Sequence, residues 1–326
     1  MTTYKNIKGI EIKYLSADPP APTIGQVWYN STTKVVKGAI NGVGAWASGG
    51  ALNVKRKGIQ GFGIQTAAIA VGGQGGSNNT AQVLCEAYNG SSWTEVNNVN
   101  TGKTARGNCG VQTAGLLIGG APRTVDTEEW DGTSWTETAN YPAAVTDPFL
   151  CGVQTAAFAI AGDVAGGSFA TATNTYNGSA FTSSTAVNTG RSSGAASGTV
   201  SAAVIAGGTN ADGTAGINNT ELWNGSAWTE VNNLNTAKNL MEGSGTTSTS
   251  MIVYGGNPNL AQTEQWNGTS WTEIADLATG RQELGGSTNG STTLALAFGG
   301  SVSGTSQTVT EEFTVTTFTT KTFDTD

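Results

Sequence analysis

A chain of 326 residues with 47 glycines, seven prolines and only 12% charged residues suits many short strands and turns better than helices, and Thr, Ser, Asn and Gly must cover its surface. A net charge of −8 and a pI near 4.6 argue against nucleic acid as a partner, because that affinity comes from Lys and Arg neutralising phosphates. The absence of histidine removes a Ser-His-Asp triad, a histidine base and imidazole ligands for copper, zinc or iron, so no cofactor or metal is expected and only carboxylate chemistry survives.

Residues 1–50 differ in texture from the rest. They hold the only Pro pair, Pro19-Pro20, and two strand candidates at 10–15 and 26–29. The string GQVWYNSTTKVVKGAI reads as a hairpin turned over Asn30-Ser31-Thr32-Thr33. GAWASGGALNVKR then aligns with SAWTEVNNLNTAK, which sets Trp46 in register with Trp228. The opening MTTYK lacks a signal peptide's apolar core, and no run approaches the roughly 20 apolar residues of a membrane span. A soluble, unprocessed chain without membrane insertion is expected.

From Lys55 onward, three anchors stay in phase. A glycine pair closes each apolar run: Gly72-Gly73, Gly119-Gly120, a degraded Ala161-Gly162, Gly207-Gly208, Gly255-Gly256 and Gly299-Gly300. Its spacing of about 45 residues is that of a four-stranded blade. An aromatic pair follows: Tyr88 and Trp93, Trp130 and Trp135, Tyr176 and Phe181, Trp223 and Trp228, Trp266 and Trp271, Phe313 and Phe318. Two residues before each first aromatic stands Glu86, Glu128, Asn174, Glu221, Glu264 or Glu311.

The runs AAIAV, AGLLI, AAFAI, AAVIA, SMIVY and LALAF are continuously apolar, as strands buried on both faces must be. The glycines remove side chains where the chain turns sharply or meets another backbone. Asn-Gly or Asp-Gly between the aromatics predicts a two-residue hairpin loop, so the sequons at Asn89, Asn224 and Asn267 read as turns and are assigned no glycans. Each unit is an antiparallel sheet that cannot cover its own faces, and radial stacking solves this. Cys85, Cys109 and Cys151 have no CxxC spacing and read as small buried residues, the last two at equivalent positions of CGVQTA.

A buried strand ending in Gly-Gly, then a spaced aromatic, then Trp in the last strand, resembles the kelch repeat of β-propellers. The resemblance covers 55–326 and implies an all-β propeller of four-stranded blades, with repeats at about 51–98, 99–140, 141–187, 188–233, 234–277 and 278–326. Its structural anchors are the glycine pairs other than Ala161-Gly162, together with Trp46, Trp93, Trp135, Trp228 and Trp271. Seven blades are favoured, the first built from strands at 10–15, 26–29, 34–40 and 45–48; the alternative is six blades at 51–326 with 1–50 as a separate arm. Since the chain ends on a fourth strand, no exchanged strand is expected to close the ring.

A basic residue recurs 16 to 18 residues before the glycine pair: Arg56, Lys103, Arg191, Lys238 and Arg281. One reading is a ring that binds an anion or acidic glycan; the other is a set of ion pairs with the recurrent glutamates. Those glutamates suit glycoside hydrolysis poorly, since a catalytic pair breaks symmetry whereas a residue in nearly every copy serves the copy. The connections after the glycine pairs vary most and are candidate binding loops.

The phrasing QTAAIAVGG and YNGSSWTEVNNVNTGKTAR, behind the GQVWYN hairpin, looks like kelch-like repeat proteins encoded by marine tailed bacteriophages. That resemblance implies a non-catalytic virion protein assembled in the bacterial cytoplasm. It would be present in many copies, docked on other virion proteins, and either bound to host-surface glycans or purely decorative.

Overall fold

The computed structural model describes residues 12–20, 22–23, 25–75, 80–105, 107–165, 168–210, 212–213, 215–316 and 318–323. The described residues form strands and turns with no helix, so the all-β expectation holds. Two compact units divide the chain: Met1–Ala45 with Val315–Asp326, and Trp46–Thr314.

In the first unit, Lys13–Leu15 lies parallel to Val27–Asn30, which pairs antiparallel with Val35–Asn41, which pairs antiparallel with Phe318–Phe323. The expected hairpin forms because Asn30 Oδ1 accepts the Thr32 and Thr33 amides, both at 3.0 Å, and Lys34 takes the left-handed conformation. Asp18 holds the sheet's polar side through Lys37 Nζ at 2.6 Å, Asn30 Nδ2 at 2.7 Å and Trp28 Nε1 at 3.0 Å. These donors, Lys37 first, bring its carboxyl down to about 2. Residues 10 and 11 of the first strand candidate lie outside the described residues.

The second unit holds, among the described residues, six four-stranded antiparallel sheets, numbered I to VI along the chain. Sheet I runs Gln60–Ile64, Ala67–Val71, Cys85–Tyr88, Trp93–Val96 from its first to its fourth strand. Sheets II to V repeat it from Gly107–Val111, Phe149–Val153, Ala195–Thr199 and Glu242–Thr247. In every second strand the run is buried from its second residue onward; Ala68, Ala70 and Val71 are wholly enclosed. First strands adjoin first strands in the order I to VI, and VI adjoins I.

The glycine pairs make the joints between sheets. The second residue of each pair donates its N–H to a carbonyl of the next repeat: Gly73 to Lys103, Gly120 to Val145, Gly162 to Arg191, Gly208 to Lys238, Gly256 to Arg281 and Gly300 to Arg56, all at 2.9 to 3.0 Å. The last bond runs from the final repeat to the first. At Gly255, with φ near 69°, an added Cβ would lie 2.7 Å from Arg281 O, so both the conformation and the approach demand glycine. Ala161 nevertheless adopts the same conformation at φ 55°.

Sheet VI departs from the expectation. It runs Gly285–Gly286, Leu294–Phe298, Thr310–Val315, and its fourth strand is Gly44–Ser48 from the other end of the chain. Trp46 Nε1 donates to Thr263 Oγ1 at 3.0 Å, as Trp93 does to Thr310 and Trp271 to Thr220. Trp46 thus sits where the fourth-strand tryptophans sit, with its ring 5.2 Å from Phe313. The strands at 10–15, 26–29, 34–40 and 45–48 therefore do not make one sheet, and the chain's last strand pairs with Val35–Asn41 instead. Trp46 brings an indole N–H for Thr263 to this position, although Phe181 shows that the fourth-strand site of sheet III is filled without one.

Candidate functional site

The recurrent charges meet one another inside the sheets. Arg56 Nη2 lies 2.6 Å from Glu86, Arg191 Nη2 2.5 Å from Glu221, Lys238 Nζ 3.1 Å from Glu264 and Arg281 Nη1 2.7 Å from Glu311. All four cations are wholly buried. Arg56 Nη1 also donates to Gly72 O and Leu84 O, while Glu86 Oε2 accepts from Asn53 N and Nδ2. Each cluster ties the segment before a first strand to the third strand of its own sheet. Burial pulls the arginines below their usual range, and the facing glutamate opposes this. Lys103 differs, with Nζ 3.8 Å from Asp126, and Glu128 accepts from Asn100 N. No face of the four wholly buried cations is left for an anion from solvent.

The third repeat tests that reading from within the chain. Its glutamate position is Asn174, and the residue whose carbonyl receives the glycine-pair bond is Val145 in place of Arg or Lys. Both charges are missing together. Asn174 Nδ2 donates instead to the Tyr141 hydroxyl at 3.0 Å. A lone buried charge would cost several kcal/mol, so loss of one partner favours loss of the other.

The Asn-Gly turns are not two-residue loops. Tyr88 pairs directly with Trp93, so four residues connect them, and Gly90 has positive φ while Asn89 does not. Asn89 Oδ1 accepts the Ser91 and Ser92 amides at 3.0 and 2.9 Å, closing the turn through the side chain. Asp131, Asn177, Asn224 and Asn267 do the same. The cysteines are free and buried, and burial pushes the Cys85 thiol up to about 11 and Cys151 up to about 12.

A cavity of about 180 Å³ opens where the six first strands begin. Around it run Gly58, Ala105, Asp147, Ser193, Leu240 and Glu283, one from each repeat and all in the left-handed conformation. Their backbones join: Asp147 N donates to Ala105 O at 2.7 Å, Ser193 to Asp147 at 3.3 Å, Leu240 to Ser193 at 2.8 Å, Glu283 to Leu240 at 2.9 Å and Gly58 to Glu283 at 2.8 Å. Non-glycine residues in this conformation cost of order 1 kcal/mol each, and these bonds hold them there. The position falls two residues after each basic anchor, or after Val145, and carries a different residue type in all six copies.

Acidic groups concentrate at this cavity. Asp147 accepts from Ser193 Oγ at 3.0 Å, and Glu242 Oε1 accepts the Gly243 amide at 2.8 Å. Burial pushes Asp147 up to about 6 and Glu242 up to about 8. Ile59, Phe149, Leu150, Met241 and Leu284 supply apolar wall, and Gln74 brings one of the variable connections to the rim.

Toward the other ends of the first strands, the last repeat has the loop Ser287–Thr292 where the early repeats have a short Gln-Thr turn. Asn289 Oδ1 accepts Gly110 N at 3.4 Å and its Nδ2 donates to Gly152 O at 3.1 Å, so this loop crosses from sheet VI to sheets II and III. Among the described residues no group of three or more acidic or cysteine side chains is placed to hold a metal ion.

The expected anchors therefore fall at joints between sheets, and the expected basic ring falls inside them. Sequence reasoning missed Asp147, Glu242, Glu283 and Asn289; for Asp147 and Glu283 the available signal was the variability at a fixed offset from a recurrent anchor. No family model matches the chain. No curated protein matches it either.

Proposed function

We propose that Trp46–Thr314 is a six-bladed, kelch-like β-propeller whose last blade is completed by Gly44–Ser48, and that the protein is a non-catalytic structural component of a bacteriophage virion. The cyclic order of glycine-pair bonds and the equivalence of Trp46 with Trp93 and Trp271 support the propeller. One observation carries the non-catalytic reading: four of the five recurrent glutamates hold buried cations of their own repeats, which makes them scaffold rather than reagents. The virion assignment rests on the resemblance of the QTAAIAVGG and YNGSSWTEV phrasing to phage repeat proteins.

In this role the protein docks on other virion proteins in multiple copies. The rim of variable connections contacts host-surface glycan, each contact weak and multiplied by copy number. Labelled antibody against the chain should decorate intact particles in electron micrographs. Absence of the chain from purified virions would overturn the assignment. A glycan array with the whole protein then separates host binding from decoration.

A further inference from the structure

We propose that the loop Ser287–Thr292 is a gate between the first strands of Trp46–Thr314: it stands closed in this structure, and local detachment of its tip, Thr288 to Gly290, joins two cavities into one passage. The inference stands on this loop and the two cavities and is independent of the virion reading.

The loop arises where a first strand stops early. In sheets I to V the first strand runs five or six residues, whereas in sheet VI it is the two residues Gly285–Gly286. The string Ser-Thr-Asn-Gly-Ser-Thr that follows favours turns over strand, and Gly290 N donates to Ser287 O at 2.7 Å. In sheets I to III the corresponding turn sends a glutamine sideways onto the third strand of the preceding sheet: Gln65 Nε2 donates to Phe313 O at 2.7 Å, Gln112 Nε2 to Tyr88 O at 2.7 Å and Gln154 Nε2 to Trp130 O at 2.9 Å. The last repeat has no such glutamine, and its loop turns in among the first strands instead.

Three observations make this loop a gate. First, it is a partition. Thr288 lines the cavity of about 180 Å³ at the start of the first strands and also a second cavity of about 210 Å³ toward their other ends, walled by Gly152, Val153, Thr199, Gly245 and Asn289 among others. Thr288 is the one described residue common to both.

Second, the root is held more tightly than the tip. Ser287 O accepts Ser244 Oγ at 2.7 Å, and Ser287 Oγ accepts Leu296 N at 2.9 Å. At the tip, Thr288 O accepts Gly245 N at 3.3 Å, Asn289 Oδ1 accepts Gly110 N at 3.4 Å and Asn289 Nδ2 donates to Gly152 O at 3.1 Å. Bonds at the long end of the range weaken with distance, so the tip detaches while the root stays on sheet VI.

Third, closure leaves a polar group unmet. Thr288 is 8% exposed, and its Oγ1 makes no hydrogen bond. Swinging the tip outward returns that hydroxyl to water, which offsets part of the cost of breaking the three tip bonds.

The test is amide hydrogen exchange on the full natural chain in dilute urea. The amides of Gly110 and Gly245, which donate to the tip, should exchange through local opening, at rates that urea below the unfolding transition changes by less than about twofold. Those of Leu117 and Val204, in second strands, should exchange only through unfolding and speed up steeply with urea. A second arm uses Thr288→Cys, which replaces the unpartnered hydroxyl with a thiol of similar size. Iodoacetamide should alkylate that thiol at a rate likewise insensitive to dilute urea, and adding Asn289→Ala should raise the rate roughly tenfold by removing two tip bonds. Should the variants not fold, exchange in the natural chain carries the test. Exchange of Gly110 and Gly245 in step with Leu117 and Val204 at every urea concentration, or alkylation only at the rate of global unfolding, would make the loop a fixed plug and overturn the proposal.

Discussion

Carboxyl groups occur in this protein in two settings, and the contrast between them separates scaffold from site. Glu86, Glu221, Glu264 and Glu311 recur at one position of the repeat, and each faces a buried Arg or Lys at 2.5 to 3.1 Å. Asp147 and Glu242 stand at positions where other repeats carry different residues, and burial raises both without a cation to offset it. A carboxylate repeated in phase is neutralised within its own copy; a carboxyl that breaks the repeat has no cation of its own, and burial holds its proton on instead.

The scaffold side of the contrast breaks most visibly at the chain ends. Removal of residues 1–51 takes away Trp46 and the whole fourth strand of sheet VI, and cooperative unfolding of the remainder should be lost in calorimetry. Removal of 1–41 alone should leave a cooperative transition, because Gly44–Ser48 remains beside Thr310–Val315. A smaller effect is expected at the joints. Gly255→Ala drives a Cβ to within 2.7 Å of Arg281 O at positive φ, and should cost about 1–3 kcal/mol by urea denaturation.

The cavity side sharpens through pH. Glu242 is raised from 4.5 to about 8 in the folded protein, so between those values the native state holds a proton that the unfolded chain has released. Stability therefore falls as pH rises from about 4.5 to about 8, and Asp147 adds a fall between 3.8 and about 6. Glu242→Gln should flatten the upper part of this profile and stabilise the protein at pH 8, by on the order of 1–2 kcal/mol after allowance for its partial exposure. The smallest effect concerns Ala161, whose φ of 55° suits glycine: Ala161→Gly should raise stability by about 0.5–1 kcal/mol, read as a shift in urea midpoint.

Much of the architecture was legible in the sequence because its signals repeat. Apolar runs and aromatic pairs each appear six times in phase and the Gly-Gly pair five times, and in sheets I to V the strands pair as those anchors imply. Pairing between chain ends was not legible, since Trp46 and Phe313 lie far apart in sequence and the strand at 318–323 has a local pattern equally good for sheet VI. Turn geometry was misjudged for a local reason, as the Asn Oδ1 bonds replace the second positive φ that a two-residue loop needs. The cavity was hidden because repeats advertise what they share, while Gly58, Ala105, Asp147, Ser193, Leu240 and Glu283 share only backbone conformation.

The structural role of the recurrent charges is tested most directly by a double-mutant cycle at Arg191 and Glu221, scored by urea denaturation. Each of Arg191→Val and Glu221→Asn alone should cost about 3–5 kcal/mol, by stranding a wholly buried charge. The pair together, which reproduces Val145 and Asn174 of the third repeat, should cost at least about 2 kcal/mol less than the sum of the two. Additive single effects, or single effects near zero, would contradict the assignment of these charges to the scaffold.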